Sequence, residues 1–303
     1  MDSVITVKQL RKQYGDVDAV KDVSFSVGKG EIFGIIGPNG AGKTTTIEIL
    51  EGIRKRDGGE VQVLGMDPEK NRRNLNARIG VQFQSTAIQE KIKVKEALDL
   101  FSSFYPNNDN LGDLIEKLGL DEKMDVYFED LSGGWKQRVT LALATLHSPE
   151  IVFLDEPSMG LDPQARRDLW DIIHYLRDRG STIIVTTHYM EEAEKLCDRI
   201  AMIYGGKLEA LGEPKQLLED LATKYLSFYS RDADENILSR LPGVISLENT
   251  EGHYRIMTEQ LQRTSYHLFK EGEERNWTIE GFQFERGTLD DLFVHLLHKE
   301  ETA

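Results

Sequence analysis

A glycine-rich segment near the N-terminus matches the GxxxxGK[ST] pattern of a phosphate-binding loop. It follows an apolar run and precedes a helical pattern, which is the context in which such a segment holds phosphate. Glycines let backbone N–H groups surround phosphate oxygens, and the helix N-terminus adds a positive field. The lysine would neutralise the β and γ phosphates, and the next hydroxyl would join a Mg²⁺ shell. The predicted nucleotide contacts are Gly37, Pro38, Asn39, Gly40, Ala41, Gly42, Lys43, Thr44 and Thr45.

Two acidic residues, Asp155 and Glu156, end a second apolar run that starts at Ile151. In a phosphate-loop fold, ligands bind at the carboxyl ends of the strands, so both acids are expected to face the phosphates. Asp155 would hold Mg²⁺, and Glu156 would orient or deprotonate the attacking water. An acidic pair after a strand is usually a solvated turn when it occurs alone. Its combination with the glycine-rich loop favours the functional interpretation.

A second anion-binding nest is predicted where Ser132, Gly133 and Gly134 open another helical pattern. A single nucleotide needs one phosphate loop, so this second nest suggests a second role. Residues 131–138 resemble the LSGGQ signature of ABC-type ATPases, and the order of the motifs fits that family over residues 1–215. Trp135 stands where the family often has glutamine, near the ribose held by a partner subunit, so its ring either stacks or packs there.

The resemblance implies further roles for single residues. Tyr14 would stack on adenine, and Gln84 would contact Mg²⁺ and lead into a helical subdomain. Asp162 would belong to the D-loop, and His188 would contact the γ phosphate. Alone, each has an ordinary interpretation as a surface, loop or strand-end residue. Their joint occurrence in family order favours ATP and Mg²⁺ as ligands, with Glu156, His188, Lys43 and Gln84 as the catalytic residues.

The resemblance also implies partners. Two ATP molecules would join a head-to-tail pair of ATP-binding subunits, with Ser132 and Gly134 of one subunit facing the γ phosphate held by the other. Whether that pair is a homodimer or a heterodimer is open. Integral membrane permease subunits would dock a cytoplasmic helix near residues 85–105. Phe101, Phe104 and Tyr105 are candidates for that contact, although core packing explains them equally well.

The surrounding pattern predicts an α/β fold. Apolar runs of four to six residues alternate with helical patterns from residue 31 to about residue 204, and they lack the strict alternation of a half-exposed strand. Such runs are typical of strands buried on both faces of a mostly parallel sheet. Strands are predicted at 31–36, 151–154 and 182–185, helices at 43–50, 164–179 and 189–196, a hairpin at 200–211, and a mostly helical inserted subdomain at about 85–147 with one helix at 111–118.

A smaller C-terminal domain is predicted after a hinge at residues 212–214 and a linking helix at 215–224. The domain boundaries are therefore 1–215 and 216–303. The order strand, helix, strand, strand, helix, strand is the ferredoxin-like pattern. This extension resembles that of ATP-binding subunits in drug-, antibiotic- and sodium-export systems, and a stabilising role and a regulatory or dimer-supporting role remain open. Strands are predicted at 225–230, 243–249, 253–258 and 277–285, helices at 234–241 and 259–270, and a helix N-cap at Thr288.

Charge and composition exclude several other classes of function. The chain has 37 basic and 52 acidic residues, for a net charge of −15, and no basic face that would favour a nucleic-acid partner. Its 39 % hydrophobic residues are enough to build cores. Cys197 is the only cysteine, so no disulfide can form within the chain. This is consistent with a protein in a reducing compartment. No apolar stretch approaches the roughly 20 residues that cross a bilayer, and the N-terminus does not resemble a secretory signal.

The leading hypothesis is therefore an ATP-hydrolysing subunit that powers a membrane transporter, expected to be an exporter, from the cytoplasmic face. A soluble ABC-type ATPase acting on ribosomes or DNA is the alternative. Such proteins usually carry two ATPase units or long coiled-coil insertions, which this sequence lacks. An ordinary phosphate-loop kinase is disfavoured by the signature segment and by His188.

Overall fold

The computed structural model describes residues 2–83, 88–106, 111–219, 224–285 and 287–293. The chain divides into two compact units, Met1–Pro214 and Lys215–Ala303. In the described ranges, no helix is both long enough and apolar enough to span a bilayer.

The first unit begins with three consecutive strands and continues with a mixture of strands and helices. The strands are β1 Ser3–Tyr14, β2 Val17–Gly28, β3 Ile32–Ile36, β4 Gly58–Val63, β5 Ile79–Gln82, β6 Ile151–Asp155, β7 Thr182–Thr187, β8 Arg199–Tyr204 and β9 Lys207–Gly212. The helices are α1 Lys43–Leu50, α2 Arg72–Asn76, α3 Val94–Ser102, α4 Leu111–Leu118, α5 Gly133–Thr145, α6 Pro163–Asp178 and α7 Met190–Leu196, and α8 Pro214–Glu219 follows at the boundary with the second unit.

A six-stranded sheet forms the centre of this unit, in the order β5-β6-β7-β3-β8-β9. All neighbours are parallel except the β8–β9 hairpin. Every residue of β3, β6 and β7 is buried, which explains why these strands read as continuous apolar runs. The predicted mostly parallel sheet is therefore confirmed. It places the carboxyl ends of β3, β7 and β6 side by side.

A second, antiparallel sheet has the order β2-β1-β4 and was not predicted. Ile5, Val7 and Leu10 of β1 are buried in a core that also contains Ile47 and Leu50 of α1. The pairing of β1 with β2 is irregular at several points, and Gln9 and Asp22 have left-handed backbone angles. These irregularities break the alternation that would have marked the strands in the sequence.

The stretch between β5 and β6 is helical where it is described, with 3₁₀ turns at Leu120–Lys123 and Phe128–Asp130. Apolar residues continue at helical spacing to Tyr105, whereas α3 ends at Ser102. The hydroxyls of Ser102 and Ser103 donate to the carbonyl oxygens of Asp99 and Leu100, and such local bonds compete with helix continuation.

The second unit contains an antiparallel sheet in the order β11-β12-β10-β13. Its elements follow the predicted order. Helix α10 covers one face of the sheet, where Leu226, Phe228, Ile256 and Leu268 form the core. The elements are β10 Lys224–Tyr229, α9 Glu235–Leu238, β11 Val244–Thr250, β12 His253–Thr258, α10 Leu261–Arg275 and β13 Glu280–Glu285.

Several predicted boundaries in this region are wrong. The linking helix predicted at 215–224 is α8, which begins at Pro214, the residue type that favours a first helical turn. Lys224 already pairs with Thr258 in the sheet. Helix α9 is shorter than predicted, whereas α10 continues to Arg275 and ends where Asn276 adopts a left-handed conformation.

Candidate functional site

The glycine-rich loop lies between the end of β3 and the start of α1, and two of its residues must be glycine. Gly37 and Gly42 have φ angles of 149° and 105°, which residues with a Cβ rarely adopt. A Cβ at Gly37 would lie 2.1 Å from the carbonyl oxygen of Ile203, and one at Gly42 would lie 2.3 Å from that of Ala19. Neighbouring strands therefore hold the loop closely against the sheet.

Lys43, the first residue of α1, is buried, and its ammonium group points back into the loop. Its Nζ donates to the carbonyl oxygens of Gly37 at 2.9 Å and Pro38 at 3.2 Å. The same atom lies 3.3 Å from Oε1 of Glu156, which is also buried. The sheet has therefore brought together two residues that are 113 positions apart in the sequence. The cation and the carboxylate partly compensate each other's burial.

Asp155 is the last residue of β6, and hydroxyl groups surround its carboxyl. Oγ1 of Thr186 donates to Oδ1 of Asp155, and Oγ1 of Thr44 lies 3.5 Å from the same oxygen. Burial raises the pKa of Asp155, and the hydrogen bonds from Thr186 and Thr44 oppose that rise. A hard divalent cation prefers such hydroxyl and carboxylate oxygens. The donor set of Thr44 and Asp155 therefore fits Mg²⁺, whereas Gln84 lies outside the described residues.

Glu156 follows immediately, and its backbone conformation is unusual. Its φ angle is 48°. Residues with a side chain rarely adopt such an angle, and those that do are found preferentially at functional sites. The backbone N–H of Glu156 donates to Oγ1 of Thr186 at 2.9 Å, which holds the turn against β7. Thr186 thus supports both acids. The sequence reasoning did not identify it, because a threonine inside a buried strand gives no separate signal.

His188 follows β7 and reaches the other oxygen of the same carboxylate. Its Nδ1 lies 3.1 Å from Oε2 of Glu156, and its ring lies 4.1 Å from the ring of Tyr189. Glu156 therefore connects Lys43 and His188 through its two oxygens. The two contacts hold the carboxylate of Glu156 in a fixed position. A general base must be positioned in this way to take a proton from a bound water.

The signature segment begins α5, where Ser132 is the N-cap residue. The Ser132 side chain makes no capping hydrogen bond, and Ser132 and Gly133 are exposed. Among the described residues, no hydrogen bond or ion pair joins residues 132–135 to the glycine-rich loop of the same chain. A different residue of α5 contacts the acidic turn, since Nε2 of Gln137 donates to the carbonyl oxygen of Pro157.

Trp135 packs within its own chain. Its ring lies 5.2 Å from Nζ of Lys123 and 4.9 Å from Cζ of Arg138, distances at which cations interact with aromatic faces. Arg138 also pairs with Asp168 of α6 at 2.7 Å. Of the two possibilities for this ring, packing is therefore the one observed in the single chain.

Two other predicted site residues, Asp162 and Tyr14, have identified neighbours in the structure. Asp162 caps α6, where one of its carboxyl oxygens accepts from the backbone N–H groups of Gln164 and Ala165, each at 2.9 Å. Tyr14 is 39 % exposed, with Nζ of Lys12 and Cζ of Arg54 each 5.3 Å from the ring centroid. The ring of Tyr14 thus lies in a basic, accessible environment.

A buried glutamate connects the acidic turn to α7, and this contact was also missed. The carboxyl of Glu192 accepts from Oγ of Ser158 at 2.9 Å and from Nε1 of Trp170 at 3.0 Å. Ser158 lies two residues after Glu156, and α7 begins two residues after His188. Glu192 therefore connects the turn at Glu156 to the segment that carries His188.

Comparisons with known proteins agree with these motifs. A family model described as "ABC transporter" matches residues 20–159. The Nod factor export ATP-binding protein I of Burkholderia orbicola is 39 % identical over 234 residues, which cover 75 % of this chain and 77 % of that protein. The probable multidrug ABC transporter ATP-binding protein YbhF of Escherichia coli is also 39 % identical, over 71 % of this chain and 38 % of that longer protein.

Solved structures agree as well. The cbiO1 protein from Clostridium perfringens, described as part of the ABC transporter complex cbiONQ, superposes with a TM-score of 0.66 and 26 % identity. That match covers 73 % of this chain and 92 % of the other. A structure described as an ATP binding subunit of an ABC transporter gives a TM-score of 0.65. The resemblance inferred from the sequence motifs is confirmed.

Proposed function

Because the chain belongs to the ATP-binding subunits of ABC transporters and is an ABC transporter ATPase, we propose that it binds and hydrolyses ATP at the cluster around Glu156. The buried contact of this carboxylate with both Lys43 and His188 is the observation that supports the assignment most strongly. The cluster lies at the carboxyl ends of adjoining strands, where ligands bind in open α/β sheets.

The phosphates of ATP occupy the glycine-rich loop, where backbone N–H groups at the start of α1 face them. The ammonium of Lys43 turns from Glu156 to the β and γ phosphates, since they carry more negative charge than one carboxylate. This movement releases Oε1 of Glu156. Adenine stacks on the accessible ring of Tyr14, the last residue of β1.

Glu156 then positions the attacking water and accepts its proton, while His188 contacts the γ phosphate from the other side. The strained backbone at residue 156 holds the carboxylate in a fixed direction, so little reorganisation is needed during reaction. Thr44 and Asp155 would hold Mg²⁺, joined by Gln84. When bound, this ion neutralises charge that develops on the phosphate oxygens.

The exposed nest of residues 132–134 serves a second subunit. Its free N–H groups and hydroxyl face solution in the single chain, so they are available for a γ phosphate held by a partner. Two ATP molecules therefore join two ATP-binding subunits head to tail. Trp135 packs against Lys123 and Arg138 directly after the nest, and its ring would also lie near the ribose held by the partner subunit.

Hydrolysis is coupled to transport through integral membrane permease subunits, which hold this chain at the cytoplasmic face. A cytoplasmic helix of the permease docks on the helical subdomain of about residues 85–147, which carries the exposed Phe104. Phe101 and Tyr105 of this subdomain line a groove whose other side belongs to the α/β core. The relative in Burkholderia orbicola is named for Nod factor export and the one in Escherichia coli for multidrug transport, which supports an exporter. The proposed substrate is a drug, an antibiotic, a lipid or an ion.

The C-terminal unit is a separate ferredoxin-like domain of about residues 216–303 that supports pairing or regulation. Its four strands adopt the order expected for a split βαβ arrangement, with two helices between them. Reciprocal hydrogen bonds between Thr288 and Asp291 begin a further helix, as the N-cap pattern predicted.

Affinity capture tests this function. A tagged Glu156→Gln chain is captured with ATP from detergent-solubilised membranes of its own host, with Lys43→Ala as the matched control. We expect an integral membrane protein in stoichiometric amount with the first variant and much less with the second. Recovery of ribosomes or nucleic acid without a membrane protein would reject transport in favour of a soluble factor.

A further inference from the structure

A cavity of about 480 Å³ in the first unit has a lining that the catalytic cluster does not use. Its polar side chains include Glu51, Gln82 and His147. Each of the three has one buried side-chain atom without a hydrogen-bond partner among the described residues: Oε2, Oε1 and Nδ1, respectively. Buried polar atoms are usually paired, so three exceptions around one cavity need an explanation.

Glu51 follows α1 directly and is only 2 % exposed. Burial, together with the negative charges of Asp155 and Glu48, raises the pKa of this carboxyl from 4.5 to about 8. In the part of the chain that the structure describes, no ion pair includes Glu51. The charges that raise this pKa come from acidic residues, and one of them, Glu48, is already paired with Arg54 at 2.5 Å. The carboxyl of Glu51 is therefore buried without a cationic partner among the described residues.

The other two unpaired atoms are hydrogen-bond acceptors. Nε2 of Gln82 donates to Oγ1 of Thr140 at 3.1 Å, which leaves the amide oxygen free. Nε2 of His147 lies 3.1 Å from the carbonyl oxygen of Ile79, which can only accept, so this nitrogen carries the proton. Burial lowers the pKa of His147, which favours the neutral ring. Its Nδ1 is then an acceptor without a donor.

The remaining lining is mostly apolar and partly open to solution. Ile53 and Phe83 are 40 % and 46 % exposed at the cavity, and Phe101 and Tyr105 form another part of its wall. Arg72 also lines the cavity, but it is exposed and makes no ion pair with another described residue. An apolar wall around unpaired acceptors matches an amphipathic helix that carries one buried hydrogen-bond donor.

We propose that this cavity receives an arginine side chain from the docking helix of the membrane-embedded partner, with Glu51 and Gln82 accepting hydrogen bonds from its guanidinium. This inference rests on the proposed function, because it specifies what the partner's helix must carry.

The chemistry of the lining selects arginine over other residues. Guanidinium has five N–H donors and no acceptor, so it matches a lining of free acceptors, and its planar face packs well on aromatic rings. An acidic residue would be repelled by Glu48 and Asp155, and an apolar one would leave the acceptors unpaired. The terminal torsion of a glutamate is soft, so Glu51 can turn its free oxygen toward the cavity.

Photo-crosslinking identifies the docked segment. p-Benzoylphenylalanine replaces Ile53 in the full chain, which is expressed in its own host. The membranes are then irradiated in the presence of ATP. The partner peptide that is joined to residue 53 is sequenced. Each arginine in that peptide is then replaced by glutamine. Glu51→Gln is tested in parallel, and Glu150→Gln is the matched control because Glu150 is an exposed carboxylate paired with Arg78 at 2.6 Å.

We expect an arginine in the cross-linked peptide. Its replacement should lower the cross-link yield about tenfold or more, because it removes charge-assisted hydrogen bonds. Glu51→Gln should cause a similar loss, the two changes together should add little, and the control should keep the full yield. Thermal unfolding checks that Glu51→Gln is folded.

A membrane peptide without arginine, or an unchanged yield with Glu51→Gln, overturns this inference and leaves the transport function intact. If no membrane protein is cross-linked at all, both the inference and the proposed function fail. The two failures are therefore distinguishable.

Discussion

The buried ion pair between Lys43 and Glu156 determines what single substitutions at the site will do. Both side chains lie out of solvent, and Nζ and Oε1 are 3.3 Å apart. Removal of one partner leaves the other as a buried charge, which is costly. Effects on nucleotide binding and effects on the chemical step must therefore be measured separately for each residue.

Lys43→Ala is expected to weaken ATP binding by about 10- to 100-fold, because it removes charge-assisted hydrogen bonds to the phosphates. Equilibrium titration with a fluorescent ATP analogue measures the change. Lys29→Ala removes an exposed lysine outside the loop and serves as the control. An affinity for ATP equal to that of the unmodified chain would remove the glycine-rich segment from nucleotide binding.

Glu51→Gln is expected to stabilise the chain increasingly as the pH rises. The folded chain holds the Glu51 proton up to a pKa of about 8, whereas an unfolded chain releases it near 4.5. The free energy of unfolding therefore falls with rising pH between these values, by about 1.4 kcal/mol per unit. The variant avoids this loss, so its advantage reaches on the order of 3 kcal/mol at pH 7.

Unfolding temperatures measured from pH 5 to pH 8 test this expectation. Glu150→Gln is the control, since Arg78 lowers the pKa of Glu150 and its contribution is constant over this range. Parallel curves for Glu51→Gln and the unmodified chain would contradict the burial of this carboxyl.

At the scale of elements, the residues around Glu156 are positioned by three strands that were easy to recognise in the sequence. β3, β6 and β7 are buried on both faces, so their apolar runs were visible in the sequence, and the motifs after them could be placed at one sheet edge. The clustering of Lys43, Glu156 and His188 was therefore predictable from the sequence. Their supports Thr186 and Glu192 were not, because those contacts arise only when distant strands and helices pack.

Two other features were equally hidden. The sheet of β1, β2 and β4 has an irregular pairing register that interrupts its apolar alternation. Glu51 looks like an ordinary helix-end acid in the sequence, and only the packing of α1 shows that its carboxyl is buried. Pattern reasoning detects periodicity along the chain, whereas burial and pairing depend on tertiary contacts.

The contact of Glu192 with Ser158 and Trp170 gives a stability prediction at this scale. Glu192→Ala leaves two buried donors unpaired and should lower the free energy of unfolding by about 2–4 kcal/mol. Glu192→Gln can accept from Trp170 and donate to Ser158, so it should cost less than about 1 kcal/mol. Chemical denaturation compares them. Equal stability of the two variants would argue against this hydrogen-bonded link.

At the scale of the whole molecule, the single chain presents a phosphate loop and an exposed signature nest, and no hydrogen bond or ion pair among the described residues joins the two. A second subunit that completes each ATP site is therefore part of the proposal. If it is right, one chain should bind ATP by itself, whereas efficient hydrolysis should need the pair.

Gly133→Asp tests that separation. A Cβ at Gly133 meets no atom within 4 Å, and an acid in the first helical turn is favourable, so the fold should be unaffected. The new charge would repel a partner-held γ phosphate. We expect unchanged ATP binding to the free chain and about a tenfold or greater loss of phosphate release by the assembled transporter. Gly133→Ala is the control, and full activity of the aspartate variant would contradict a shared site.

The most direct test of the central claim is phosphate release by the assembled transporter carrying Glu156→Gln, with ATP binding measured on the same sample. Loss of a general base typically costs about 10²- to 10⁴-fold in rate. The account predicts that MgATP still binds while phosphate release falls at least about a hundredfold. Phosphate release at the rate of the unmodified transporter would contradict it, because Glu156 would then have no catalytic role.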